Sequence, residues 1–217
     1  MSGSDVGAFT LSESRLKAIK LPVDDLIIYQ DMRYQPVTTA SAELVGAALE
    51  HHTIQDLNVL ELGSGCGAVS IMLGLKRPNW RITALEIQKE EVMLSRDNAL
   101  RCGLQIEFIE ADLRSWLAPA KYDLIISNPP WQPVESGRSS PIISRAIGRQ
   151  ELSCTIDDLM DCISRNLAPD GEAILIYPKD RDKAVLEAVA KSSLDKFETC
   201  ISRDTYKYLI YRIRHRG

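Results

Sequence analysis

With 217 residues, 45% of them hydrophobic, the chain is long enough to bury a substantial core and too short for two ordinary domains. A net charge of −4 argues against a uniformly basic nucleic-acid binder, and no apolar run approaches the roughly 18 residues of a membrane span. Cys66, Cys102, Cys154, Cys162 and Cys200 are scattered, with no Cys-x-x-Cys pair, and read as reduced thiols; His51, His52 and His215 offer no metal site. The first residues, Met1–Gly7, have neither the basic nor the apolar stretch of a secretion signal, so a cytoplasmic protein is expected.

Up to about Pro22 the sequence is polar and weakly patterned and reads as a frayed arm. Thr38–His52 has Leu44, Val45, Ala48 and Leu49 on one helical stripe, with the two histidines at its end. From Asn58 strands and helices alternate: strand Val59–Leu62, helix Ala68–Lys76, strand Arg81–Ile87, helix Lys89–Arg101, strand Ile106–Glu110, a turn near Trp116 and strand Leu124–Ser127. A polar insert follows, then helix Ile156–Leu167, strand Glu172–Tyr177, helix Lys183–Ser192, and closing strands Phe197–Ser202 and Tyr208–Arg214. The pattern predicts an α/β, doubly wound, mostly parallel sheet of seven strands. Arg203–Lys207 is too short for a parallel crossover, so one closing strand is expected to be antiparallel.

The stretch Lys121–Trp131 is a buried-looking strand that runs into Asn128-Pro129-Pro130-Trp131. Two prolines fix two φ angles and remove two donors, so the strand stops in a stiff turn. Such a turn holds an amide oxygen and a carbonyl where they can accept the hydrogens of a planar NH2 group, beside a ring that stacks on its face. Glu61-Leu62-Gly63-Ser64-Gly65-Cys66-Gly67 joins the first strand of the alternation to its helix, where glycines allow a sharp turn close to a ligand. Gly63, Gly65 and Ala68 also satisfy a dinucleotide fingerprint, but Glu61 repels a pyrophosphate and suits a ligand with positive charge. Glu86 ends the next strand, 23 residues after Gly63, where a carboxylate accepts ribose hydroxyls; Asp112 follows the third, in reach of an adenine amino group. Each acid alone is an ordinary turn former; three of them at successive strand ends border one crevice. Cys66 has no basic neighbour in sequence and reads as packing.

Taken together, Glu61–Gly67, Glu86, Asp112 and Asn128–Trp131 resemble the successive motifs of class I S-adenosylmethionine-dependent methyltransferases, over about Val37 to the C-terminus. The resemblance divides the chain into an arm, 1–36, and a methyltransferase domain, 37–217. It implies a Rossmann-like methyltransferase fold, with S-adenosylmethionine held by Glu61, Gly63, Ser64, Gly65, Gly67, Glu86, Ile87, Asp112, Leu113 and Asn128. Asn128, Pro129, Pro130 and Trp131 are the implied catalytic turn, and no metal or membrane is implied. Asn-Pro-Pro-Trp is shared by enzymes that methylate adenine N6 and by those that methylate the glutamine amide. The insert, with Arg138, Arg145 and Arg149, resembles bacterial tRNA (adenine-N6) methyltransferases acting on valine tRNA, and those arginines are candidate phosphate contacts. Tyr34–Thr39 departs from the signatures of both groups. The expected partner is tRNA; the alternatives are a release-factor glutamine methyltransferase and an inactive cofactor-binding module, with a nicotinamide-dependent dehydrogenase further off. The C-terminal segment, with Arg203, Lys207, Arg212, Arg214 and Arg216 among Tyr206, Tyr208 and Tyr211, reads equally as a solvated edge strand and as an RNA-binding patch.

Overall fold

A computed structural model describes residues 15–23, 25–52, 56–129, 154–202 and 206–217. Two antiparallel strands, β1 (Leu16–Lys20) and β2 (Ile27–Asp31), precede α1 (Thr39–His51). The alternation then runs β3 (Asn58–Leu62), α2 (Ala68–Lys76), β4 (Arg81–Glu86), α3 (Lys89–Arg101), β5 (Glu107–Glu110) and β6 (Tyr122–Ser127). It closes with α4 (Ile156–Asn166), β7 (Leu167–Pro178), α5 (Asp182–Lys191), β8 (Leu194–Ile201) and β9 (Tyr208–His215).

The seven strands β3 to β9 form one sheet in the order β5-β4-β3-β6-β7-β9-β8. β3 to β7 pair in parallel, and β9 is antiparallel to both β7 and β8, as the short final connection requires. The central strands are apolar on both faces because helices cover both. Val59, Leu124, Ile126, Ile174 and Ile176 face a core with Leu44, Ile71, Leu73 and Val92 of α1, α2 and α3. Their neighbours Leu60, Ile125 and Leu175 face the opposite core, with Leu159, Ile163, Val185 and Val189 of α4 and α5. The order reverses between β3 and β6, which opens a crevice outside their carboxyl ends.

Two expectations are corrected. The arm carries the β1–β2 hairpin, with Leu21 and Ile28 in the core. What docks it is Asn98 of α3, fully buried: its Nδ2 donates to Tyr29 O at 2.8 Å and to Cys66 O at 2.9 Å, and its Oδ1 accepts from Tyr29 N at 2.8 Å. A tether between partners 69 residues apart leaves no periodic signal in either segment. Second, β9 is an interior strand, and β8 forms the edge.

Replacing Asn98 by leucine strands three backbone groups, one buried and two part-buried, at a cost of roughly 1–3 kcal/mol for each group left unsatisfied. The melting temperature should fall by at least about 5 °C in scanning calorimetry, given about 2–4 °C per kcal/mol in a domain of this size. A shift below about 1 °C would show that the hairpin is held by other contacts.

Candidate functional site

The crevice is lined first by the glycine loop. Gly63, Gly65 and Gly67 all have positive φ, at 73°, 52° and 83°. At Gly63 an added Cβ would meet nothing within 4 Å, so the turn itself is what requires glycine. At Gly67 it would lie 2.9 Å from Ser95 Cβ and 3.0 Å from the Phe108 ring, so here glycine lets α2 pack onto α3 and β5. Gly63 N and Ser64 N both donate to Leu85 O, at 2.9 and 3.0 Å, which fastens the loop to the end of β4.

Glu86 is the last residue of β4 and is buried. Its Oε2 accepts from Gly65 N at 2.9 Å and its Oε1 from Gln88 N at 3.0 Å. Burial pushes its carboxyl above the usual range, against those backbone donors. Glu61 is buried too, but its Oε2 accepts from Ser70 N at 3.0 Å and from Ser70 Oγ, on the first turn of α2. Burial pushes Glu61 up to about 7, and the neighbouring Glu86 adds to the rise. Asp112, beyond the end of β5, is claimed by Arg114: Nε lies 2.9 Å from Oδ2 and Nη2 lies 2.5 Å from it. That pairing holds Asp112 below the usual carboxylate range. Ile87 is half-buried beside Glu86, Leu113 packs against the α4 face of the sheet, and Ser64 is buried. Cys66 is buried and its thiol pushed upward by burial, as suits a packing residue.

The other wall is the end of β6. Ser127 Oγ donates to Leu62 O at 2.8 Å, which joins β6 to β3 at the floor of the crevice. Asn128 follows, its Nδ2 donating to Ser41 Oγ of α1 at 3.2 Å. Pro129 is the last described residue of this turn; Pro130, Trp131, Arg138, Arg145 and Arg149 lie outside the described residues.

Arg212, Arg214 and Arg216 form no patch at the crevice, whereas Lys207 is exposed just before β9, at the crevice end of the sheet. Arg212 is buried, pairs with Glu172, sits 3.3 Å from Glu198, and donates to Ala47 O at 2.6 Å. Burial opposes ionisation of Glu172, yet His52 and Arg212 together hold it below the usual range. Tyr211 is buried and donates to Asp182 at 2.9 Å. Arg214 lies 5.1 Å over the Phe197 ring, and Arg216 donates to Leu194 O at 3.2 Å. Because β9 starts opposite Pro178, at the crevice end, its last residues are at the far end of the sheet. Arg203 is outside the described residues.

Four residues at or near the crevice went unread in the sequence: Ser41, Glu91, Asn98 and Arg114. Glu91 gave the clearest signal, since it follows Glu90 in the first turn of α3, but acids there are ordinary partners of a helix dipole. It is 3% exposed, and its Oε1 has no hydrogen-bond partner among the described residues.

Solved structures that share this fold include methyltransferases. A T. thermophilus 16S rRNA N2 G1207 methyltransferase in complex with AdoMet and guanosine aligns at a TM-score of 0.66 and 16% identity, over 93% of this chain and 51% of that one. A ribosomal protein L11 methylase from Lactobacillus delbrueckii subsp. bulgaricus aligns at 0.63 and 18% identity, over 87% and 84%. The chain belongs to the methyltransferase small domain family, which it matches over residues 37–209, and S-adenosylmethionine is the cofactor. Among curated relatives, a tRNA1(Val) (adenine(37)-N6)-methyltransferase of Glaesserella parasuis is 33% identical over 132 residues, 60% of this chain and 55% of that protein. A release factor glutamine methyltransferase of Streptococcus pneumoniae is 30% identical over 179 residues, 82% of this chain and 60% of that protein. The chain thus matches little more than half the length of these relatives. No helix among the described residues is long and apolar enough to cross a membrane.

The residues present suit this cofactor. Ser64 Oγ, Gln88 Oε1 and Glu91 Oε1 are buried without a partner among the described residues, all on the glycine loop or the start of α3. Buried polar atoms of this kind call for a ligand that carries hydrogen-bonding groups. The raised carboxyls of Glu61, Glu86 and Glu91 call for one that carries positive charge.

A pH dependence follows. With Glu61 at about 7 and Glu91 at about 8, both retain protons at lower pH. A cationic ligand favours their ionised forms, so binding should release protons and affinity should rise between about pH 6 and 8.5. For the free protein the sign is opposite. Both folded-state values exceed the ordinary carboxyl value, so these groups stabilise the fold less as pH climbs through that window. Calorimetry in buffers of different ionisation enthalpy measures the released protons, and binding at pH 7 without proton release would contradict the assignment.

Proposed function

We propose that this chain transfers a methyl group from S-adenosylmethionine to an exocyclic planar nitrogen, adenine N6 of a tRNA. The observation that carries this reading is the position of Asn128 and Pro129, at the carboxyl end of β6 beside the switch point, with the amide nitrogen already bonded to Ser41. Asn128 Oδ1 and the Pro129 carbonyl are two acceptors, the number that an NH2 group needs. Accepting both hydrogens favours a pyramidal nitrogen and aims its lone pair. Trp131 stacks on the base after it has been splayed from its neighbours. Glu86 and the glycine loop hold the ribose, and Leu113 with Asp112 the adenine, once Arg114 yields part of its hold on that carboxylate. When bound, S-adenosylmethionine supplies the methyl on a sulfonium; the protein supplies alignment, worth up to about 7–11 kcal/mol of a barrier. No strong base is required, because the nitrogen loses its proton to water after it has become cationic.

A glutamine side chain offers the same planar NH2 group, and the Streptococcus pneumoniae relative makes it the second reading. What favours RNA is the insert after the turn, with Arg138, Arg145 and Arg149 close to Asn128 in sequence. In an acidic chain, phosphate contacts must come from such a local cluster.

Two experiments follow. Asn128→Ala should lower single-turnover methylation by about 10²-fold or more, the usual effect of losing one hydrogen-bonding group at the reacting centre, with cofactor affinity near the parent's. Equal rates for variant and parent would remove Asn128 from the chemistry. In filter binding, Arg138→Glu with Arg145→Glu should weaken tRNA binding and flatten its salt dependence, whereas Arg214→Glu with Arg216→Glu should change neither. Binding that is absent, or indifferent to salt and to the insert arginines, would move the assignment to the glutamine methyltransferase.

A further inference from the structure

We propose that Glu91 is a further cofactor-binding residue, whose carboxylate gives the site its preference for the positively charged S-adenosylmethionine over the neutral-sulfur product, S-adenosylhomocysteine. This inference does not depend on the methyl acceptor and goes beyond the choice between RNA and protein.

The geometry rests on Gly65. A Cβ added there would lie 3.4 Å from Glu91 Oε2, so the Glu91 carboxylate reaches the glycine loop itself. The adjacent Gly65 N–H is bonded to Glu86, so Gly65 has an acid on either hand. The two acids differ in what they hold. Glu86 accepts backbone N–H groups with both oxygens, whereas Glu91 Oε1 is buried with no partner among the described residues. A buried oxygen left so among the described residues is costly unless a further group, such as a bound ligand, completes it. Glu61, read from the sequence as the acid that meets a cation, has committed Oε2 to Ser70.

Among the described residues, the cation that acts on Glu91 is already engaged. Burial pushes the Glu91 carboxyl up to about 8; Glu86, Asp31 and Glu90 add to the rise, and Arg33 opposes it. Arg33 is tied to Asp31, with Nε 2.9 Å and Nη2 2.6 Å from Oδ2. Among the described residues Glu91 also acts on Cys66 and Tyr34, and both resist ionisation there. A sulfonium placed near this group gains from its charge; the thioether left after transfer does not. Loss of the methyl therefore weakens hold on the spent cofactor and helps its release.

The test is calorimetric titration of both molecules into the parent protein and into Glu91→Gln, with no acceptor present. We expect Glu91→Gln to weaken S-adenosylmethionine about tenfold and S-adenosylhomocysteine less than about twofold, as loss of one close charge pair predicts. The melting temperature of the cofactor-free variant should equal or exceed the parent's, since an unpaired buried carboxyl has been removed. In the parent, the preference for the sulfonium should grow as pH rises from about 6 to 8.5. Equal weakening of both molecules, no weakening of either, a preference indifferent to pH, or a fall in the free variant's melting temperature would each overturn the proposal. Failure of the parent to bind either molecule would instead refute the cofactor assignment.

Discussion

One buried carboxylate organises the crevice. Glu86 takes an N–H from the glycine loop with one oxygen and an N–H from the start of α3 with the other. It thus joins two segments that leave adjacent strands of the sheet. A charge in this position is expensive to bury, and two backbone donors offset only part of that cost. The residual deficit is shared with Glu61 and Glu91, whose carboxyls burial also raises. Asn98 extends the same scaffold outward: one buried amide ties α3 to the glycine loop and to the β1–β2 hairpin.

The two walls of the crevice therefore serve different chemistry. The β3–β4 wall is acidic and rich in glycine, suited to a cationic, hydroxyl-bearing ligand. The β6 wall offers an oriented amide and a proline-stiffened carbonyl, suited to a neutral planar NH2 group. The acidic wall also limits where a nucleic acid can approach, because phosphates are repelled there. The cationic residues of β9 do not relieve that constraint. Arg212 is locked between Glu172 and Glu198, and Arg214 and Arg216 are at the opposite end of the sheet.

Much of the fold was legible because each strand–helix unit writes its own periodicity locally. The strands from Val59 to Ser127 are apolar runs bounded by polar turns, and α3 occupies its expected span. The positions of Glu86 and Asn128 were legible for a related reason: polar residues at the ends of buried strands border the switch point of an open sheet. The hairpin was missed because its docking depends on Asn98, far away in sequence. The partners of Arg212 were not legible, because composition records charge and not its partners, and Arg212 finds them only when three strands assemble. Glu61 and Glu91 show the same limit within the site itself. Both are acids in the first part of the alternation, and only packing reveals that one bonds to α2 while the other has an oxygen with no partner among the described residues.

The most direct measurement is mass spectrometry of products after the purified protein has been incubated with S-adenosylmethionine, unmodified tRNA and a release factor in one mixture. N6-methyladenosine in the tRNA, with the release factor unchanged, is the predicted result. Methylation of a release-factor glutamine with the tRNA untouched would contradict it.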